Sequence, residues 1–272
     1  MGAHLIYEDF LRFVEALSER GGDPWERYEE HYLVPHRAVL TAWWEQCLGL
    51  PREVWVDRVR RVRPADYGLL RVVVEEGDLE ALAGETMARC QVVLPMEPEP
   101  EVYYLVGFFS PDGFAFEVEG RWAIGIGLER LGSVRLVPVL LAHEYGHCYR
   151  RRRGRPRRLG ERLVEEGYAV ELSARAFPER PEHEHLLMRA GQVAAMQAYE
   201  GRLREAIAPL LDSEEEAVAA RVLYGQAKRG EWPSRAGMYL GWRAVREFLE
   251  SGEGGFDAPA ERVLDRFRDH VV

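Results

Sequence analysis

The sequence predicts an α+β protein: a small, mostly antiparallel sheet beside one helix that carries an H-E-x-x-H turn, with predominantly helical N- and C-terminal parts. Three observations carry this. Residues 102–128 are rich in β-formers or alternate apolar with other residues, and Ser110-Pro111-Asp112-Gly113 divides them with a turn signal. Soon after them, from Leu136, comes a run whose only ionisable side chains before Arg150 belong to His143-Glu144-Tyr145-Gly146-His147 and Cys148-Tyr149, led in by Val139-Leu140-Leu141-Ala142. A surface helix would carry more charge, so this helix is expected to be buried around its metal face. Elsewhere, before residue 95 and from 135 to the end, apolar residues recur at helical spacing.

Each element has a local reason. Phe10, Phe13, Val14 and Leu17 form one helical stripe, which stops at Gly21-Gly22. Asp23-Pro24 is a helix start, with Pro at the first position. Pro35, Pro51 and Pro64 punctuate three further helical stretches. Trp43, Trp44 and Trp55 in them are expected to line a core or groove. Residues 78–90 form another helix. Met96-Glu97-Pro98-Glu99-Pro100 is a stiff acidic linker, dividing a helical N-terminal region, 1–95, from a second domain, 101–272. Strands are expected at 102–109, 114–118 and 121–128. The last places Trp122, Ile124, Ile126 and Leu128 on one face, with Gly125 and Gly127 between them. Two readings stand: its glycines admit an extended peptide at the edge of a cleft, or the strand is simply covered by a helix.

The five residues 143–147 read H-E-x-x-H. Two histidines four apart project from one helical face and can grip one zinc ion. The glutamate between them can act as general base on metal-activated water. A catalytic zinc has three protein ligands and one open position. Residues 159–177 offer the third. Leu159, Leu163, Val170, Ala174 and Phe177 form a stripe that contains Glu166, whereas Glu165 falls off it beside Arg162 and Ala169. A carboxylate on a core-facing stripe needs a cation, which zinc or an arginine would supply. Periodicity therefore favours Glu166 over Glu165 as ligand, and Gly167 would let a neighbour approach closely. Glu161 or Glu165 would orient a ligand histidine from outside the coordination sphere. Cys148 is rotated about 100° from His147 around the helix and reads as a packed thiol.

HExxH, eighteen intervening residues and then Glu is the spacing of the gluzincin metallopeptidases. The chain more closely resembles the YjaZ-type family of predicted zinc-dependent proteases. The resemblance rests on Ala142-His143-Glu144-Tyr145-Gly146-His147, on 159–169 (Leu-Gly-Glu-Arg-Leu-Val-Glu-Glu-Gly-Tyr-Ala), on Tyr224-Gly225 and on 233–242. It implies a zincin-like fold, zinc held by His143, His147 and Glu166, and Glu144 as catalytic acid/base. Where the family tends to show Gly-Tyr, this chain has Gly237-Met238, with Tyr239 one place later. Tyr239 or a loop arginine is the candidate to stabilise the oxyanion. The function implied is a zinc metallopeptidase acting on a peptide or protein substrate. The alternatives are a noncatalytic protein in which zinc staples two helices, and a regulator with a basic nucleic-acid-binding loop.

At 272 residues, 47% hydrophobic and 30% charged, the chain has the composition of a soluble globular protein. Its start lacks the basic and apolar regions of a signal peptide, and no apolar run approaches the roughly 20 residues of a membrane span. Three cysteines without CxxC spacing suggest reduced thiols in the cytoplasm. The net charge of −10 opposes general affinity for nucleic acid or anionic membrane. Lysine occurs only at Lys228 and asparagine not at all. Residues 150–158 hold seven arginines around Gly154 and Pro156, read as a solvated loop with cleft-facing cations for substrate carboxylates. Its Arg153-Gly154-Arg155-Pro156 matches the core of a minor-groove DNA reader, a short match that net charge opposes. His183 and His185 read as a solvated helix start.

Overall fold

A computed structural model describes residues 2–18, 21–108, 112–225 and 232–269. In chain order its elements are β1 (Ala3–His4), α1 (Tyr7–Ala16), α2 (Pro24–Tyr28), α3 (Arg37–Trp43), α4 (Arg52–Arg60), α5 (Gly68–Glu75), α6 (Leu79–Val93), β2 (Glu101–Leu105), β3 (Gly113–Val118) and β4 (Arg121–Gly127). There follow α7 (Val137–Arg151), α8 (Leu159–Ala176), α9 (Glu182–His185), α10 (Ala190–Ala198), α11 (Glu200–Ile207), α12 (Glu216–Leu223), α13 (Ala236–Glu250) and α14 (Ala260–Asp269). Single π-helical turns, Glu29–Leu33 and Trp44–Leu48, extend α2 and α3. The second helix starts as the sequence requires: the Asp23 side chain accepts from the Trp25 N–H at 3.1 Å, with Pro24 first in the helix. The turn signal at Ser110-Pro111 and the end of the 102–109 strand lie outside the described residues.

The chain divides into two units, Met1–Ala88 with Met96–Cys148, and Arg89–Pro95 with Tyr149–Val272. The first holds a four-stranded mixed sheet in the order β1-β2-β4-β3. It is not mostly antiparallel. β1 pairs with β2, and β2 with β4, in parallel; only β3 and β4 are antiparallel. Alternation finds strands but cannot assign neighbours: β4 inserts between β2 and β3, and the two-residue β1 is too short to show a period.

β4 is therefore an inner strand, which corrects the reading of it as a cleft edge. Gly125 serves packing instead. A Cβ there would fall inside the ring of Trp43, which also meets Phe114 and Phe116 edge-on. β3 is the edge strand, and its outward peptide groups at Glu117 are taken. The Gln46 amide donates to the Glu117 carbonyl at 2.7 Å and accepts from its N–H at 3.1 Å, as a neighbouring strand would. The opposite face carries Gly113, Ile124 and Ile126 by register. Gly113 faces α7 there, because a Cβ on it would stand 3.0 Å from Glu144 Cγ. Away from the sheet, Phe10, Tyr28, Tyr32 and Phe108 pack ring against ring, and Tyr32 Oη accepts from the Val106 N–H at 3.0 Å.

The second unit is built on a close crossing of α8 and α13. A Cβ on Gly167 would overlap the Gly241 carbonyl, and one on Gly241 would overlap the Leu163 carbonyl. Glycine at both positions lets the backbones touch. Beside the crossing, the buried Glu171 accepts from Trp242 Nε1 at 3.0 Å and pairs with Arg175 and Arg246 at 2.9 and 3.2 Å. Arg150 donates to the Phe256 and Ala258 carbonyls at 2.7 and 2.9 Å and stacks on Tyr168.

This crossing has no slack. Gly167→Ala should cost roughly 1–3 kcal/mol or more of stability, read from urea denaturation. A loss below about 0.5 kcal/mol, the range of inert surface changes, would show that the helices do not meet there.

Candidate metal centre

α7 presents His143, Glu144 and His147 from one buried turn. Their exposures are 4%, 7% and 4%, and all the residues of α7 before Tyr149 are buried. Pro138 sits in the first turn, where a missing N–H costs nothing. Charge returns only with Arg150 and Arg151, which suit the negative end of the helix dipole.

The two imidazoles converge. His143 Nε2 and His147 Nε2 are 3.1 Å apart, with their rings nearly perpendicular. Two nitrogens bound to one tetrahedral zinc at about 2.0–2.1 Å would stand roughly 3.3 Å apart. Among the described residues, His143, Glu144 and His147 form a group whose ligand atoms all lie within 4.8 Å of one another. Buried imidazole nitrogens with a carboxylate beside them are a donor set that suits zinc. The residues present thus fit a metal ion.

Two neighbours of Glu144 carried no signal in the sequence. Gly113 leaves room for its carboxylate, since a Cβ would lie 3.0 Å from Oε1. Only the pairing of β3 brings that glycine to α7. Cys47, in the Trp44–Leu48 turn, feels the Glu144 charge. Burial first, and that charge second, push its thiol up to about 12, so it stays neutral at physiological pH. Cys148 is fully buried, its Sγ 3.7 Å from the Ala123 carbonyl of β4.

The other candidate residues lie in the second unit. Glu165 pairs with Arg151 at 2.6 Å in a mostly buried ion pair. Glu161 accepts from the N–H groups of Arg157 and Arg158 at 2.8 and 3.1 Å and pairs with the Arg158 guanidinium, closing the N-terminus of α8. Both carboxylates proposed to orient a ligand histidine are thus engaged with arginines or a helix end. Glu166 is buried on α8, next to Gly167. Its charge, first, and loss of water around the hydroxyl, second, raise the pKa of Tyr224, although the Tyr224 residue is 57% exposed. The Tyr239 hydroxyl donates to Glu200 at 2.7 Å, within a cluster that includes Arg204 and Arg243.

Two loop readings need correction. The 150–158 arginines are not a set of open cations: Arg150 binds carbonyls, Arg151 holds Glu165, Arg153 pairs with Asp257, and Arg158 pairs with Glu161 and Glu261. His185 is buried and not solvated, with Nδ1 2.8 Å from Ser173 Oγ, and Glu184 is buried against Arg180 at 3.0 Å.

A family model described as "Predicted Zn-dependent protease (DUF2268)" matches residues 121–263. The chain belongs to this family. The YjaZ-type name fits it, and within its span lies the buried histidine pair on α7. No curated protein and no solved structure shows a match.

Burial lowers the pKa of His185 below its ordinary 6.5, with the hydrogen-bond contributions opposing it. The folded chain therefore keeps this imidazole neutral at a pH where the unfolded chain binds a proton. Its contribution is complete above about pH 6.5 and falls as pH drops through the folded value. The stability difference between wild type and His185→Gln should shrink from about pH 7.5 to about pH 5.5 in urea titrations. An unchanged difference would mean that His185 titrates alike in both states.

Proposed function

We propose that this protein is a gluzincin-type zinc metallopeptidase of zincin-like fold, cleaving peptide bonds in a peptide or protein substrate. The observation that carries the reading is the buried His143-Glu144-His147 turn, with its Nε2 atoms 3.1 Å apart, in a chain of this family. His143 and His147 would hold the zinc, with Glu166 as third ligand on the strength of its spacing and its place on the core-facing stripe of α8. Glu165 is engaged by Arg151 at 2.6 Å, which fits the placing of Glu166, and not Glu165, on the core-facing stripe. The peptidase region would be 101–272, with 1–95 as a helical N-terminal region. Among the described residues no helix is long and apolar enough to cross a membrane. The three free cysteines support the cytoplasm as its compartment.

Bound zinc supplies a Lewis acid that brings the deprotonation of water near neutral pH. Glu144 would then accept a proton from water on its carboxylate and pass it to the leaving amine. Gly113 leaves room for that carboxylate, since a Cβ there would stand 3.0 Å from its Cγ and Oε1. The low exposure of Glu144 strengthens its field on the reacting groups.

Metal content and turnover separate these roles. His147→Ala and Glu166→Ala should lose most zinc by elemental analysis, while Glu165→Ala keeps it. Glu144→Gln should keep zinc and lose roughly 10²–10⁴-fold in turnover. Full activity in zinc-loaded Glu144→Gln would return the site to a structural staple. Zinc loss from Glu165→Ala alone would move the third ligand.

For the oxyanion, Tyr239 would first have to leave Glu200, whereas the Tyr224 hydroxyl feels the Glu166 charge more than any other. Tyr224→Phe should therefore lower kcat by roughly 10²-fold with zinc retained. Tyr239→Phe should instead cost about 1 kcal/mol of stability through the lost hydrogen bond. The reverse pattern in kinetics would restore Tyr239 as the donor.

A further inference from the structure

We infer that a cavity bounded by α3, the two π-helical turns and the start of α4 binds a short zwitterionic peptide, two or three residues long and carrying an apolar side chain. The cavity lies in the first unit and has a volume of about 410 Å³. That is within the range of roughly 300–1,000 Å³ typical of small-ligand sites.

Two indoles form part of its wall. Trp44 and Trp55 are nearly buried, at 6% and 3% exposure, with Leu33 and Leu50 beside them. Trp55 is fixed by its Nε1 donating to the Leu50 carbonyl at 3.1 Å, and Trp44 by stacking on Tyr28. Such rigid aromatic surface takes an apolar side chain at little entropic cost. Both π-helical turns contribute to this one cavity, Glu29 and Leu33 from the first and Trp44 and Glu45 from the second. Insertions of this type are rare and occur frequently at functional sites.

The charges select the ligand. Glu29 and Arg52 neutralise one another at 3.1 Å, and the Arg52 guanidinium also lies over Trp25. Arg37 and Glu45 are exposed and make no ion pair or hydrogen bond with another described side chain. They lie eight residues apart, about 12 Å along a helical axis, with Thr41 midway on the same wall. The cavity thus offers a cation at one end, an anion at the other, and indoles between. The complement is a carboxylate and an ammonium separated by an apolar group. Extended chain spans at most about 3.3–3.6 Å per residue. The termini of a dipeptide or tripeptide would then stand roughly 7–10 Å apart, a distance that inward-reaching side chains of Arg37 and Glu45 can close.

The wall continues toward the metal centre's strand. Gln46 follows Glu45, and its amide holds Glu117 of β3, the strand that begins with Gly113 beside Glu144. The inference does not depend on peptidase activity, and its test is read without turnover.

The experiment uses the full-length Glu144→Gln protein and leucyl-phenylalanine, followed by tryptophan fluorescence and calorimetry. N-acetyl and C-terminal amide forms of the same dipeptide serve as the other two probes. The zwitterion should bind saturably, and removing either charge should weaken it about tenfold, as for the loss of one charge-assisted hydrogen bond. Arg37→Gln should abolish the difference between acid and amide, and Glu45→Gln the difference between amine and N-acetyl form. Both are exposed positions, so an unchanged denaturation midpoint is expected and checks the fold. The inference is overturned if no probe saturates at millimolar concentration, or if both variants keep the wild-type preferences. It is equally overturned if binding ignores both substitutions and disappears on metal chelation, which places the peptide at the histidines.

Discussion

Two buried imidazole nitrogens 3.1 Å apart, with a carboxylate on the same helical turn, impose the main constraint on the first unit. Such a group is stable away from water only around a shared proton or cation. The protein must therefore keep the surrounding turn dry and fixed. Leu140, Leu141 and Ala142 precede the pair and Tyr145 lies within it, all buried, so no competing charge intrudes. The sheet supplies the opposing surface, closest at Gly113, where a methyl group would press on Glu144. The apolar lead-in and the glycine on β3 serve one requirement, although 26 residues lie between Gly113 and Leu140.

What could be read from sequence was local. The HExxH turn, the Asp23-Pro24 start and the extents of β3 and β4 follow from spacings of two to four residues. What could not be read was pairing over distance. The order of the sheet depends on β4 entering between strands whose own alternation is silent about neighbours. Arg152, Arg153, Arg155 and Arg157 are exposed, as a solvated loop requires, but the partners of Arg150, Arg153 and Arg158 (the Phe256 carbonyl, Asp257 and Glu261) lie about a hundred positions away and leave no local signal. His185 looked solvated for the same reason: Ser173 and the surrounding core are contributed by another helix. In each case the partner that decides the environment lies on another element.

The family match begins at residue 121, so it includes β4 and excludes both strands that flank it. β2 and β3, the Trp43 ring under Gly125 and the Gln46 amide on Glu117 all come from outside the matched span. Alone, β4 would expose both edges of its backbone, an arrangement no isolated strand sustains in water. The N-terminal part is thus structurally necessary to the strand that the family shares, whatever further role its cavity has.

On α8 the same economy of partners distinguishes two adjacent carboxylates. Glu165 and Glu166 are both buried, and neighbouring helical residues point about 100° apart. Arg151, the last residue of α7, takes Glu165 at 2.6 Å. That pair neutralises one buried charge beside the glycine crossing, where α8 has no freedom to rotate. Glu166 is directed elsewhere, close enough to Tyr224 to be the main influence on its hydroxyl. A one-residue shift of α8 would set Glu166 against Arg151 and drive a side chain into the Gly241 carbonyl. The Gly167–Gly241 crossing therefore fixes the helix rotation, and the rotation decides which of the two glutamates meets Arg151.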